Sequence, residues 1–258
     1  MKDNLLLAGS SRTLSWGRSL LIVVGLLVFS LANAASEDAE DNLGNWLGFT
    51  SATRLSDQWS LFAQAEYRTW EMGSNRNETL FRFAGLYDFN PRHLAAFGYV
   101  RVDTWPFEEN RGLREFEENR VYEEYSFKQK LGNGNLNHRF RLEQRWLTVE
   151  GSTELSHRAR YMLKYTRPLN SETMKPGTWY VRVFDEVFVD FDRNGYWFNP
   201  IPYDKGLNQN RLFFGGGRKL TTASNIQFGL LWQHRPDRDF LRLVLSYSYN
   251  FDRRKDAM

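Results

Sequence analysis

Residues 241–251 read L-R-L-V-L-S-Y-S-Y-N-F, with Leu241, Leu243, Leu245, Tyr247, Tyr249 and Phe251 at odd positions and Arg242, Val244, Ser246, Ser248 and Asn250 between them. Successive side chains of a strand point to opposite sides, so one face here is wholly apolar or aromatic and the other mostly polar. A strand of this kind, ending in Tyr-x-Phe near the end of the chain, suggests a barrel wall with lipid on one side and a wetter interior on the other.

The first residues fit that reading. Lys2, Arg12 and Arg18 precede an apolar run over residues 20–29 that closes on Ala32-Asn33-Ala34. We read residues 1–34 as a cleaved secretory signal peptide, because the run is too short to span about 30 Å of hydrocarbon as a helix and the small-x-small triplet offers a cleavage site. The competing reading is an uncleaved anchor. Residues 35–45 form an acidic segment, 46–251 the barrel, and 252–258 a polar tail.

Without residues 1–34 the net charge is about +1, and basic and acidic residues are interspersed, which argues against a nucleic-acid partner. There is no cysteine, hence no disulfide framework and no thiolate nucleophile. After the leader, no apolar segment is long enough for a spanning helix, so any crossing falls to strands paired in a closed ring.

Period-two alternation gives eleven candidate strands, at 46–55, 59–70, 79–89, 94–103, 120–131, 136–147, 157–169, 179–189, 211–220, 226–233 and 240–251. Most are near the 9 to 11 residues that a tilted strand needs to cross a bilayer. The expected fold is all-β: a closed antiparallel transmembrane β-barrel of 10–12 strands. Links at 56–58, 90–93, 132–135 and 221–224 suit tight turns, and longer stretches at 71–78, 104–119, 148–156 and 190–210 suit loops, so short periplasmic turns and longer extracellular loops are expected. A ring of purely antiparallel strands with both termini in the periplasm needs an even number, so eleven calls for a hidden twelfth strand or one strand outside the ring.

The faces assign themselves in mid-chain. Arg139, Arg141, Glu143 and Arg145 alternate with His138, Phe140, Leu142, Gln144 and Trp146. A basic residue at the bilayer midplane costs about 2–4 kcal/mol, so the charged row faces the lumen. The same logic sends Glu66, Arg68, Arg120, Glu124, Arg158, Arg160, Lys164, Arg182, Glu186 and Arg211 inward, and Val181, Val183 and Val187 outward, with Asp185 expected near the membrane edge. Trp46, Trp59, Trp70, Trp146 and Trp179 fall near strand ends, as interfacial belts do. A soluble barrel would invert these faces, and alternation alone does not separate the two; the leader, strand lengths and terminal aromatic pattern favour the membrane.

The run Asn137-His138-Arg139-Phe140-Arg141-Leu142-Glu143-Gln144-Arg145-Trp146, with Phe184-Asp185-Glu186-Val187-Phe188 and Asn210-Arg211-Leu212-Phe213-Phe214-Gly215-Gly216-Gly217, resembles the bacterial family called domain of unknown function 2490. The resemblance spans roughly residues 46–251. It implies an outer-membrane β-barrel and carries no established activity or catalytic residue. The tail after Phe251 departs from a fully terminal assembly signal, for which Tyr249 and Phe251 are the candidates.

The inward charges have two readings. They form a buried lattice of ion pairs filling a barrel of modest girth, which we favour, or Arg141, Arg145, Arg158 and Arg160 line a narrow anion-selective, porin-like passage. The leading function is thus a narrow channel or envelope-maintenance barrel; a lipid-acting enzyme and a surface-loop binding scaffold are the alternatives. Catalysis finds little support. Ser156 and His157 are adjacent and point to opposite faces of a strand. Asp190, Asp192 and Asn194 begin like a calcium loop, but position twelve is Ile201 rather than a bidentate Glu, so a turn is the better reading. Tyr196, Trp197 and Phe198 in the same loop suit packing onto the barrel mouth, and the charged 104–119 stretch suits a solvated loop anchored by Trp105 and Phe107. No cofactor is expected. Expected partners are outer-membrane lipid, lipopolysaccharide and the barrel-assembly machinery.

Overall fold

The structure, a computed structural model, describes residues 43–105, 115–192, 205–236 and 239–256. The leader and most of the acidic segment lie outside the described residues, as do Phe107, Asn194 and the aromatic run 196–203. Eleven strands appear in the described residues: β1 Gly44–Arg54, β2 Trp59–Glu71, β3 Ser74–Asn90, β4 His93–Thr104, β5 Phe116–Leu131, β6 Gly134–Val149, β7 Ser152–Pro168, β8 Trp179–Asp190, β9 Gly206–Lys219, β10 Ser224–His234 and β11 Asp239–Asp252. Each matches one expected from alternation. No helix of the described residues is long and apolar enough to cross a membrane.

The strands close into one barrel, each pairing with its sequence neighbours and β1 with β11. Ten pairings are antiparallel; β1 and β11 run parallel, from Gly44 opposite Arg242 to Arg54 opposite Asp252. This corrects the parity argument. Eleven strands close without a twelfth because one parallel seam absorbs the odd count, and the beginning of β1 and the end of β11 therefore lie at opposite mouths rather than together.

Loop lengths need a second correction. β2–β3 and β6–β7 join through only Met72-Gly73 and Glu150-Gly151, while β7–β8, at the other end, is joined by residues 169–178. Both tight links use left-handed backbone, at Gly73 (φ 76°), Glu150 (φ 48°) and Gly151 (φ 82°). Long connections at 105–115 and 191–205 do share one mouth, here the loop end; the β1–β2, β3–β4, β5–β6 and β9–β10 turns mark the other, the turn end.

The outer wall is predominantly apolar. Leu47, Phe49, Leu61, Phe81, Phe83, Phe97, Phe140, Leu142, Phe214, Phe228, Leu230, Leu243 and Leu245 are all exposed. Trp59 and Trp179 open their strands at the turn end and Trp146 lies near the loop end of β6, all exposed. Trp46 and Trp70 are corrections, since both are buried. Trp46 shares the inward parity of its register partner Arg68, and Trp70, two residues beyond Arg68 on the same strand, keeps that parity, its indole Nε1 donating to the Trp105 carbonyl at 2.8 Å. Asp185 is also a correction: it stands on the outer face at mid-strand in β8, not at an edge, and accepts from Asn210 Nδ2 at 2.8 Å.

Candidate functional site: the charged lattice inside the barrel

The interior divides into two walls. Along β3 to β5, Leu80, Ala84, Val100, Val102 and Tyr122 pack together with Phe62 and Leu86 against them. The approach is close enough that a Cβ on Gly98 would meet the Tyr122 ring at 2.6 Å, so glycine is required there. A smaller group, Trp46, Phe213 and Leu231, backed by Phe184 and Val244, lies by the seam.

The opposite wall, β5 to β8, is ionic because its inward positions carry Arg and Glu on neighbouring strands in register: Glu124 beside Arg141, Arg141 beside Arg160, Glu143 beside Arg158. The result is one continuous lattice. Glu118 accepts from Arg120 Nε at 2.6 Å and from Arg145; Arg145 reaches Asp190 at 3.8 Å; Asp190 accepts from Arg158 Nε at 2.7 Å. Glu143 accepts from Arg160 at 2.7 Å and lies 3.5 Å from Arg141 and 3.9 Å from Arg158. Glu186 accepts from Arg160 at 2.8 Å and from Arg139, while Glu124 accepts from Arg141 Nε at 2.9 Å and lies 3.8 Å from Arg139. Six arginines and five carboxylates thus share protons in a space shielded from water, where a lone charge would cost several kcal/mol and a paired one is tolerated.

The remaining candidates sit beside this lattice. Glu66 and Arg68 bond to each other on β2, with Glu78 on the far side of Arg68. The Arg211 guanidinium lies over the rings of Trp46 (4.9 Å) and Phe188 (4.7 Å), and Gln209, its amide oriented by its partners, accepts from Arg211 Nε at 2.6 Å. Arg182 donates to Thr166 Oγ1 at 3.1 Å and to Gln227 Oε1. The Lys164 ammonium makes no hydrogen bond or ion pair among the described residues.

Sequence reasoning missed several members. Glu118 falls in the stretch expected to be a solvated loop, yet it is buried on β5; the alternation Glu118, Arg120, Tyr122, Glu124 carried the signal. Asp190, placed in a calcium-like turn, ends β8 on the inward face with Glu186, and Glu78, Arg82 and Arg242 also face in.

No shared cation site forms from Asp190 and Asp192. Asp190 turns in to Arg158, while Asp192 bonds His157 outside, its Oδ2 2.9 Å from the imidazole Nδ1 and 2.6 Å from the His157 amide. That imidazole contact holds the Asp192 carboxyl below the usual carboxylate range. Ser156 is buried inside the wall, so it and His157 sit on opposite faces. The other histidines bond outward tyrosines or an acid: His93 to Tyr125, His138 to Tyr161, His234 to Asp239. The rings of Tyr249 and Phe251 meet at a tilt with centroids 4.6 Å apart near the turn end, and Arg254 of the following 3-10 turn Arg253–Asp256 ties back to Asp252 and Asp57.

No curated protein and no solved structure shows significant similarity to this chain. A family profile does match, over residues 43–243, nearly the whole barrel including every strand of the ionic wall. The chain belongs to the family described as Protein of unknown function (DUF2490).

Proposed function

We propose that this chain is an outer-membrane β-barrel whose own side chains fill its lumen, so that it serves the envelope as a closed barrel rather than as an open pore. One observation carries the second half of the proposal. Every one of the eleven strands contributes an inward side chain no more than 9% exposed: Trp46, Arg68, Leu80, Val100, Tyr122, Glu143, Arg160, Phe188, Phe213, Leu231 and Arg242. Small barrels are filled in this way, and a pore needs interior charge with water beside it. Arg141, Arg145, Arg158 and Arg160, which an anion passage would require, are each committed to carboxylates.

Support for the membrane comes from the outer wall. Phe140 is 47% exposed while Arg141 next to it is 4% exposed, the reverse of a water-soluble barrel. Tryptophans on the outer face near both mouths suit the two headgroup levels, and the leader supplies export. Lipid, lipopolysaccharide and the assembly machinery are the partners this reading implies.

Purified protein in a planar bilayer is expected to leave the membrane silent at high protein load, while migrating faster on an unheated gel than after boiling. Discrete anion-preferring currents would restore the channel reading. The enzyme alternative has one feature in its favour, the His157–Asp192 pair on the outer rim. Hydrolysis of phospholipid or lipopolysaccharide acyl esters that stops on His157→Ala would establish it.

A further inference from the structure

The ionic wall is balanced toward the loop end but not toward the turn end. Following the register one level down, Lys128 on β5 pairs with Asn137 on β6, which pairs with Lys164 on β7, and Arg182 on β8 is one step further round, opposite Thr166. All four sit at inward parity. The charged groups facing Lys164 are Arg182, Arg139, Glu124 and Lys128. Of these, only Glu124 is an acid, and it is already held by Arg141 at 2.9 Å and approached by Arg139 at 3.8 Å. No carboxylate lies within 4.0 Å of Lys128, Lys164 or Arg182 among the described residues; Arg182 has only neutral partners, Thr166 and Gln227, and the buried Asn137 Oδ1 has no hydrogen-bond partner. A few ångströms away every arginine of the lattice has an acid.

Gathering three cations inside a barrel without counter-charge is unfavourable unless something else supplies it. Lys128 is exposed, and Lys164 and Arg182 are half-buried, so the group opens toward the turn end. We infer that Lys128, Lys164 and Arg182 form a binding site, open to the turn-end mouth, for a compact dianionic oxyanion: phosphate, free or as the phosphoryl group of a small molecule. Arg182 offers a planar fork of donors, Lys128 and Lys164 two mobile ammonium groups, and Asn137 an amide that becomes a donor when it rotates. A carboxylate monoanion leaves the group under-neutralised and binds more weakly.

The test uses the full chain without its leader, folded in maltoside detergent and phosphate-free buffer. Calorimetric titrations with inorganic phosphate, glycerol 3-phosphate and acetate separate the free ion, a phosphorylated solute and a monoanion. The expected result is saturable one-to-one binding of the first two, weakened at least about tenfold in Lys164→Gln and in Arg182→Gln, since each removes a charge-assisted hydrogen bond, and unchanged in Arg101→Gln on the outer face. Absence of saturation into the millimolar range, or equal binding by those two variants, overturns the site. Should either variant fail to show a heat-modifiable band, competition on the unaltered protein decides: sulfate must displace phosphate, and failure to do so is equally fatal. The result does not depend on the membrane reading, which a detergent-free soluble protein would refute by itself.

Discussion

Phe140→Arg asks directly which side of the wall meets lipid. Phe140 is the seventh residue of the sixteen-residue β6, near mid-height, with its ring 4.8 Å from Tyr161 and 6.5 Å from Phe127 on the outer face. In a bilayer the arginine costs about 2–4 kcal/mol at that depth, and the lost ring contact adds about 0.5–1.5 kcal/mol. The expected loss is therefore about 2.5–5.5 kcal/mol, a large share of the stability of a small domain. Equilibrium urea unfolding in lipid vesicles, followed by tryptophan fluorescence, reads it. Phe89→Arg is the control: Phe89 is equally outward but is the last but one residue of β3, where a charge costs about 0–1 kcal/mol. A Phe140→Arg variant as stable as the parent, or one that dissolves without detergent and keeps its fold, would refute the outward-to-lipid assignment, because in water that substitution merely swaps an exposed ring for an exposed charge.

Glu143→Gln keeps the shape of the lattice but removes the carboxylate shared by Arg141, Arg158 and Arg160; since each retains another acid, the loss in the same unfolding assay is expected near the low end of the range for broken buried pairs, about 3 kcal/mol, and a loss below about 0.5 kcal/mol would show the lattice to be energetically idle. Gly98→Ala drives a methyl into the Tyr122 ring and should cost about 1–3 kcal/mol, read as a lower midpoint with an unchanged slope. Glu123→Leu acts in the opposite direction: Glu123 is exposed on the outer face at mid-strand in β5 with only Gln144 Nε2 at 3.3 Å as partner, so its replacement should raise stability in vesicles by about 1 kcal/mol and leave it unchanged or lower in a protein that is soluble.

Alternation is a local property with a period of two, so each residue announces its face through its immediate neighbours. That is why all eleven strands, the outward Phe140 and the inward Arg141 and Arg160 could be read directly from the chain. What lies between strands obeys no such period. Whether β1 meets β11 parallel or antiparallel depends on two segments nearly two hundred residues apart, and only their pairing resolved the odd count. At the start of β3 the bulge that leaves Asn77 without a register partner on β2 breaks the phase, so that Asn77 is buried next to the inward Glu78, an event invisible to a two-residue pattern. Glu118 and Asp190 joined the lattice because their neighbours in space, Arg145 and Arg158, come from other strands in a fixed register. Which side chains face in and which face out is thus written along each strand. How the ring closes and which inward charges find a partner emerge only when the strands pair, because partner choice is set by cross-strand register and by distance across the lumen, and neither follows from the order of residues along a single strand.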